Sequence, residues 1–563
     1  MPSSLAVPKL PSRPPRLALL LFLVLALVPP EATGATSSPA APPPQPLPPA
    51  HLRPPVLPDQ LPSSVEALPS PSPTLETVRA DADAVLRAEA EAYWRLFTSG
   101  EPIDPAAPWR GREELFSDRA LSLARSARDA GGNDRRPAAY LFAWLVGERL
   151  AHDAADALRD AARAREEAHL VFADHEIPLR AVPSLLSGEK DREKRRALSQ
   201  AGASAARQIV PLVDRGEDRV LAAVRDLGYP SSLALAAELR GAPAPLLATL
   251  AEGVLSQTEP AWQALLASLA RAEGLDPIEV RARDLPFLLR TRVPPRLFPA
   301  GAHLTLGSAL LAGVGIELAR QANLRLAPEP HPGGPPHSIA LAVDPPGDVR
   351  LAIAPVAGLD AARAALHELG AAEYWAHLRE GPMELRRLGP ASVTEAWALL
   401  FEEVAGAPAF LLAQGVPDAQ ARAEGRLAAA RRILRARELS ARLLAALSRA
   451  QDGSSGAEGR LFARAAGCPA EPEDGLSFLL EPDPLLRAAE GLRAELLAAQ
   501  LEARLAREAG GSAWWRAGAA GAFLARAWPD SAGKTPEEVS ASLGEAALDA
   551  GALLSLAAER AGP

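Results

Sequence analysis

The 563-residue sequence contains a single cysteine, Cys468, so no intramolecular disulfide bond can form. A protein without disulfides is held together by burial of apolar side chains, and a chain of this length can bury enough of them. No histidine follows Cys468 to act as its base, so we interpret this residue as an ordinary loop thiol and not as a nucleophile.

Lysine is also scarce, and nearly all of the positive charge is carried by arginine. The net charge is -9 and the pI is near 5.7, which argues against binding to nucleic acid or to an anionic membrane. No glycine-rich phosphate-binding loop stands out. The excess of alanine, arginine and proline is typical of GC-rich coding, and we interpret it as bacterial.

Tyrosine and histidine are missing after residue 377. The four tyrosines are Tyr93, Tyr140, Tyr229 and Tyr374, and the last histidine is His377. Chemistry that needs a phenol or an imidazole from the residues after 377 is therefore excluded.

The first 35 residues have the pattern of a secretory signal peptide. Lys9, Arg13 and Arg16 form a positive segment, and an unbroken apolar run follows at 17–28. This run is shorter than the roughly 20 residues that a membrane-spanning helix needs. We predict a signal peptide at 1–35, with an uncleaved N-terminal anchor as the alternative. A periplasmic or secreted protein with no membrane span after cleavage follows from this prediction.

The segment 36–75 is dominated by proline, serine and alanine and is predicted to be a disordered linker. The remaining residues, 76–563, form the predicted folded domain. Apolar residues recur there at helical spacing from about 75 to 280 and again from about 360 to the end. Between 336 and 356, two short β-branched runs flank a Pro-Gly-Asp turn and predict a β-hairpin. The fold class is therefore mostly α with one small β element.

The segment from Ala364 to Tyr374 resembles the metal-binding helix of zinc proteases, except that one ligand is missing. In the motif H-E-x-x-H, two His side chains four residues apart bind Zn²⁺ from one helix face, and the Glu activates the metal-bound water. His367 and Glu368 supply the first two positions, but Ala371 stands where the second His belongs. A methyl group cannot coordinate a metal.

A later segment offers a further ligand. Glu395 lies 28 residues after His367, in the first part of a predicted amphipathic helix, where it would face the neighbouring helix. The alternative interpretation is a solvated charge in the first helical turn. We predict one helix over 361–378 and a separation below about 8 Å between His367 and Glu395.

The residues that follow Ala371 do not replace the missing ligand. Tyr374 is two turns and roughly 10 Å along the helix from His367, Glu373 points away, and His377 is further still. A ligand recruited from elsewhere in the chain stays an alternative. The candidates for it are His303, His331 and His337.

The hairpin, the segments around His367 and Glu395, and a C-terminal stretch containing Trp514 and Trp515 follow one another in a characteristic order. This order resembles the zinc peptidases of the thimet oligopeptidase and oligoendopeptidase F family. The resemblance covers roughly residues 80–560. Taken without the resemblance, Trp514 and Trp515 are interpreted as core packing.

The resemblance implies a two-lobed helical bowl around a deep channel, with an edge strand that binds the peptide beside the H-E-x-x-H-like helix. It implies that His367 and Glu395 are zinc ligands and that Glu368 is the general base. Ala371 departs from this pattern. Such enzymes also stabilise the oxyanion with Tyr or His donors, and no Tyr stands near Gly491, where one would be expected.

We therefore predict an exported protein with an oligopeptidase-like fold that is inactive or weakly active. Glu368 would be a vestigial base, and His367 and Glu395 remnant ligands of low occupancy. No cofactor is expected, and a peptide or protein partner is the predicted ligand. One alternative is an active zinc endopeptidase for short peptides with a non-standard ligand set. The other is a structural helical protein unrelated to peptidases.

Overall fold

The computed structural model describes residues 73–327, 331, 335–452, 457–471 and 474–562. The predicted signal peptide and nearly all of the predicted linker lie outside the described residues. Helix α1 begins at Leu75, and the side chain of Thr74 caps it by accepting the Thr77 N–H at 3.2 Å.

Helices make up most of the described chain, which confirms the mostly α fold class. The two-lobed bowl stays a prediction. In the N-terminal half the helices are α1 (Leu75–Ser99), α2 (Asp118–Ala130), α3 (Arg135–Asp153), α4 (Ala155–Glu167), α5 (Val182–Gly188), α6 (Arg192–Asp226), α7 (Ser232–Arg240), α8 (Ala244–Ala272), α9 (Leu285–Leu289) and α10 (His303–Gly313). Short 3₁₀ turns connect several of them, among them Ala107–Trp109 and Glu113–Phe116.

The C-terminal half continues as α11 (Leu359–Ala376), α12 (Met383–Arg387), α13 (Ala391–Val404), α14 (Pro408–Ala413), α15 (Asp418–Asp452), α16 (Glu458–Ala466), α17 (Leu476–Leu480), α18 (Ala488–Ala509), α19 (Gly518–Ser531), α20 (Pro536–Ser542) and α21 (Gly551–Ala561). Helix α11 is the helix predicted over 361–378. Among the described residues, no helix is both long and apolar enough to cross a membrane.

The predicted hairpin is present as β4 (Ile339–Asp344) and β5 (Asp348–Ala352), which pair antiparallel. A strand that we did not predict, β3 (Leu324–Ala327), adds to the other side of β5 in parallel, so the strand order is β3-β5-β4 and β4 is an edge strand. Strand β3 is only four residues long, and its pairing partner lies more than 20 residues away. A local sequence pattern does not reveal such a pairing.

A second hairpin, β1 (His169–Phe172) and β2 (His175–Pro178), interrupts the region that we expected to be helical. Its two turn residues, Ala173 and Asp174, have φ angles of 50° and 63°. Tight hairpin turns with two positive φ angles usually contain glycine or asparagine, and alanine gives no such signal. The helical prediction was wrong here for that reason.

The apolar core extends from α8 to α21 and includes most of α11, α13 and α18. Aromatic rings fill its centre: Phe401 contacts Trp514 and Trp528, with ring centroids 5.8 and 6.4 Å apart. Trp514 and Trp515 are both buried, which confirms their interpretation as core residues. A second cluster joins α1, α2 and α3.

Helices α11 and α13 cross at Gly370, where their backbones nearly touch. A Cβ atom at Gly370 would lie 2.7 Å from the Trp397 carbonyl oxygen and 3.0 Å from both Ala398 Cα and Phe401 Cβ. These neighbours belong to a buried helix and cannot move aside easily. The glycine of the H-E-L-G sequence therefore sets how closely the two helices approach.

We predict that Gly370→Ala destabilises the protein by about 1–2 kcal/mol, because the overpacking cost exceeds the gain in helix propensity. The matched control is Gly147→Ala in α3, where the added methyl group meets no atom within 4 Å. This control should be stabilising by about 0.5–1 kcal/mol. Urea unfolding of both variants measures the difference. Equal shifts in the two variants would contradict the proposed role of Gly370.

Candidate functional site

The crossing of α11 and α13 brings the predicted site residues together. His367 and Glu368 lie on α11, and Glu395 lies in the second turn of α13. The Nε2 atom of His367 is 3.6 Å from Oε2 of Glu395, well inside the predicted limit. The predicted helix and the predicted proximity are both present, whereas the roles of these residues as remnant ligands and base stay predictions.

A second carboxylate holds the other side of the imidazole ring. Glu402, two turns after Glu395 on α13, accepts a hydrogen bond from Nδ1–H of His367 at 3.0 Å. Both ring nitrogens therefore face carboxylate oxygens, which only accept hydrogen bonds when ionised. The arrangement favours the doubly protonated, positively charged form of His367.

The pKa values agree with this geometry. Burial alone lowers the pKa of His367, but Glu395 and Glu402 outweigh burial and raise that pKa well above its usual value. Burial by itself would raise the pKa of Glu402. The positive charges of Arg435, His367 and Arg363 outweigh burial and hold this pKa well below its usual range. His367 and Glu402 thus form a buried ion pair.

Glu402 is itself part of a wider set of ion pairs. Its Oε1 atom accepts from Arg363 at 2.9 Å and from Arg435 at 3.1 Å. Arg435 also donates to the neighbouring Glu403 at 3.0 Å. Arg363 is 3% exposed, so little water is available to compensate a lost partner. The orientation of His367 therefore depends on arginines from α11 and α15.

Glu368 contacts the β-sheet and not the imidazole. Its Oε2 atom accepts the backbone N–H of Ala340 in edge strand β4 at 2.7 Å. Burial raises the pKa of Glu368 to about 7, while the nearby charge of His367 and the Ala340 N–H oppose this rise. The predicted base is therefore a half-buried carboxyl that is hydrogen-bonded to the outer edge of strand β4.

Ala371 is 6% exposed and belongs to the apolar core, so its position in the motif offers no ligand. Glu373 points away, as predicted, and accepts from the Gln321 amide at 2.9 Å. Tyr374 is buried and stacks on Trp397, with ring centroids 6.5 Å apart.

The histidines considered as replacement ligands, His303, His331 and His337, make other contacts. Nε2–H of His303 donates to the Val356 carbonyl at 2.7 Å. The ring of His337 packs edge-on against Phe97, and the backbone N–H of His331 donates to the Phe97 carbonyl. Across the described ranges, no group of three or more His, Cys, Asp or Glu side chains is arranged to hold a metal ion.

A catalytic zinc ion, which the resemblance implies, does not fit this set of donors. Two ligand atoms bound to one tetrahedral zinc are about 3.4 Å apart, and the 3.6 Å between His367 and Glu395 is close to that value. However, a catalytic zinc site uses three protein ligands, and a metal-bound imidazole must give up its Nε2 proton. The pair has the spacing of a metal site without the third ligand.

The segment around Gly491, where an oxyanion donor was sought, lies in the buried helix α18. Its neighbour Glu490 accepts the Ser392 N–H in the first turn of α13 at 3.3 Å and pairs with Arg493 at 3.2 Å. This region therefore anchors the helix that carries Glu395.

Sequence reasoning missed Glu402, Arg363 and Arg435. A signal for two of them was present: Arg363 is one helical turn before His367, and Glu402 is two turns after Glu395, so each shares a helix face with a predicted site residue. Arg435 comes from a separate helix, and no local pattern connects it to the site.

Neither the models of known protein families nor the curated protein sequences match this chain.

The ion pairs of His367 predict how the stability of the protein depends on pH. Because its folded-state pKa is raised above the usual 6.5, the ion pair stabilises the fold fully below about pH 6.5. That contribution is lost as the pH rises through the folded-state pKa. The stability difference between the unmodified protein and His367→Gln should therefore shrink as the pH is raised above neutral.

Urea unfolding across pH 6–10 measures this difference, and NMR of the imidazole ring reports its charge directly. Glu395→Gln should lower the pKa of His367, whereas Glu76→Gln, an exposed position on α1, should leave it unchanged. A ring that is already neutral at pH 7 in the unmodified protein would contradict the ion-pair assignment.

Proposed function

We propose that this chain is an exported relative of the zinc oligopeptidases that binds extended peptides and no longer hydrolyses them. The observation that carries the proposal is the position of the His367 ring, whose two nitrogen atoms face Glu395 and Glu402. Ala371, at the position where the motif has its second His, provides no metal ligand. The relationship to this peptidase family and the bowl shape of the domain are part of the same proposal.

Loss of hydrolysis is supported by the chemistry of the remaining residues. A zinc-bound water needs a metal held by three protein ligands, and here two remain. Glu368 is bound to the Ala340 N–H and has no metal-activated water to deprotonate. The chain after residue 377 offers no Tyr or His to stabilise an oxyanion.

Peptide binding is supported by the outer edge of strand β4, which pairs with no other strand among the described residues. Strand β4 pairs with β5 on one side only, and the Ala340 N–H points to the other side, toward Glu368. Because successive N–H groups alternate in direction along a strand, the Ala342 N–H faces the same outer edge. An extended peptide can add to such an edge as a further strand.

The active-peptidase alternative needs a relocated third ligand, and the described residues supply none. The structural-protein alternative gives no reason for the metal-like spacing of His367 and Glu395 or for a carboxyl on the edge strand. We therefore favour the peptide-binding function over both.

Protein purified without chelators should contain far less than one zinc ion per chain and should not cleave a peptide library. Ala371→His should restore measurable zinc binding, since it returns a ligand one helical turn from His367. The double variant His367→Gln with Ala371→His is the matched control and should bind no zinc. Restored cleavage should additionally need a Tyr near Gly491.

Metal analysis and calorimetric zinc titration measure these outcomes, with thermal melts to verify that each variant is folded. Near-stoichiometric zinc together with chelator-sensitive cleavage in the unmodified protein would overturn the proposal.

The edge-strand mode of binding predicts that Ala342→Pro abolishes peptide binding. Proline removes the outward N–H at that position and keeps the ladder between β4 and β5, because the lost donor does not face β5. Ala342→Val keeps the N–H and should bind as the unmodified protein does. Fluorescence anisotropy with a labelled peptide pool measures both, and undiminished binding by Ala342→Pro would contradict this mode.

A further inference from the structure

A separate cavity of about 650 Å³ opens between α1, α3 and the loop that connects α1 to α2. Its volume lies within the range of small-molecule binding sites. It uses none of the residues of the His367 site, so its function can be tested independently of the proposed peptide binding.

Two carboxyl groups, from Glu89 on α1 and Glu148 on α3, line this cavity. They are 9% and 8% exposed. Glu89 has the indole N–H of Trp109 as a hydrogen-bond donor. Glu148 has no hydrogen-bond or ion-pair partner anywhere in the described part of the chain. A carboxyl that lines a cavity and is paired with no protein group takes its hydrogen bonds from whatever fills that cavity, which is water or a ligand.

Aromatic rings form another wall of the cavity. Trp109 stacks on Phe116 with ring centroids 4.7 Å apart, and Phe116 stacks on His152 at 4.5 Å. Trp144 supports Trp109 from behind at 5.9 Å. The stack gives the cavity an apolar surface against which the organic part of a ligand can pack.

We propose that this cavity binds the ammonium group of a small primary amine, with the cation between the carboxylates of Glu89 and Glu148. An ammonium group has three N–H donors, so it can reach both carboxylates. The rest of the cavity leaves room for the organic part of the ligand against the aromatic wall.

A metal ion is a poorer match to this cavity. Divalent cations such as calcium take six or more oxygen ligands, whereas the described chain contains no group of three acidic or metal-binding side chains in suitable positions. A bare ion would also leave the aromatic wall without a contact. An organic cation uses both the carboxylates and the rings.

The pKa values of the two carboxyl groups support this assignment. Burial, and next to it the charge of Glu148, raise the pKa of Glu89 to about 8, and burial raises the pKa of Glu148 to about 7. Without a ligand, Glu89 is therefore mostly protonated at pH 7 and Glu148 is about half protonated. A bound ammonium ion replaces those protons, so binding should release protons and become tighter as the pH rises toward 8.

Other charged groups around the two carboxyls are already paired or lie toward solvent. Arg387 on α12, which lowers the pKa of Glu89, pairs with Asp83 at 2.8 Å. Asp153 pairs with Arg149 at 2.6 Å and with His152 at 3.0 Å. The remaining charged groups that line the cavity are Arg110, Glu113, Asp156, Arg159 and Arg219.

Phenethylamine is a suitable probe, and 2-phenylethanol, in which a hydroxyl replaces the ammonium group, is its matched control. Isothermal titration of the full folded chain at pH 8 should show saturable binding of the amine and at least tenfold weaker binding of the alcohol. Affinity for the amine should fall about tenfold per pH unit below pH 7 for each proton that must be displaced.

Glu148→Gln should weaken amine binding at least 30-fold, as expected when one partner of a buried charge contact is removed. This variant should be at least as stable as the unmodified protein at pH 8, because it removes a buried ionisable group, so a loss of binding is not a loss of fold. Glu76→Gln, the same change at an exposed position of α1, should bind normally.

Three results would overturn the proposal: no binding of phenethylamine by the folded protein, equal binding of the alcohol, or unchanged amine affinity in Glu148→Gln.

Discussion

Ion pairing between arginines and glutamates of the core links five helices, α11, α13, α15, α18 and α21. Arg435 of α15 contacts Glu402 and Glu403 of α13, and Arg560 of α21 contacts Glu403 and, at 2.7 Å, Glu502 of α18. Arg363 adds α11 to the same network. Removal of one member would leave a charge uncompensated in the core, which typically costs 3–5 kcal/mol. The network therefore specifies how these helices pack, whatever its net contribution to stability.

This network also determines what the H-E-x-x-H-like helix can do. Glu402 is surrounded by cations that hold its pKa well below the usual range, and an ionised Glu402 keeps a proton on Nδ1 of His367. In metalloenzymes, a carboxylate in this position orients a metal-bound imidazole. Here the opposite nitrogen faces Glu395 without a third ligand, so the same orienting contact stabilises an imidazolium ion. His367, Glu395 and Glu402, whose spacing resembles that of a metal site, thus form an ion pair inside the protein.

The sequence allowed prediction of those parts that depend on local pattern. The helical periodicity and the β4–β5 hairpin follow from spacing along the chain, whereas the approach of Glu395 to His367 was expected from the order of motifs that resembles the zinc oligopeptidases. Strand β3, the β1–β2 turn and Arg435 were missed because they depend on contacts between distant segments or on backbone angles that alanine does not signal. The cavity lined by Glu148 was missed for a similar reason. Its carboxyl has a raised pKa only because α1 and the loop that carries Trp109 bury it.

The spread of the ion pairs along the chain has a consequence for the order of folding. Arg363 and Glu402 are 39 residues apart, whereas Glu403 and Arg560 are 157 residues apart. Contacts across such distances form slowly, because a long loop must close before any energy is gained. Until α21 docks, Glu403 lacks one of its cations and its burial is incomplete. We therefore expect the contacts of Arg560 to form after the local helix pairs.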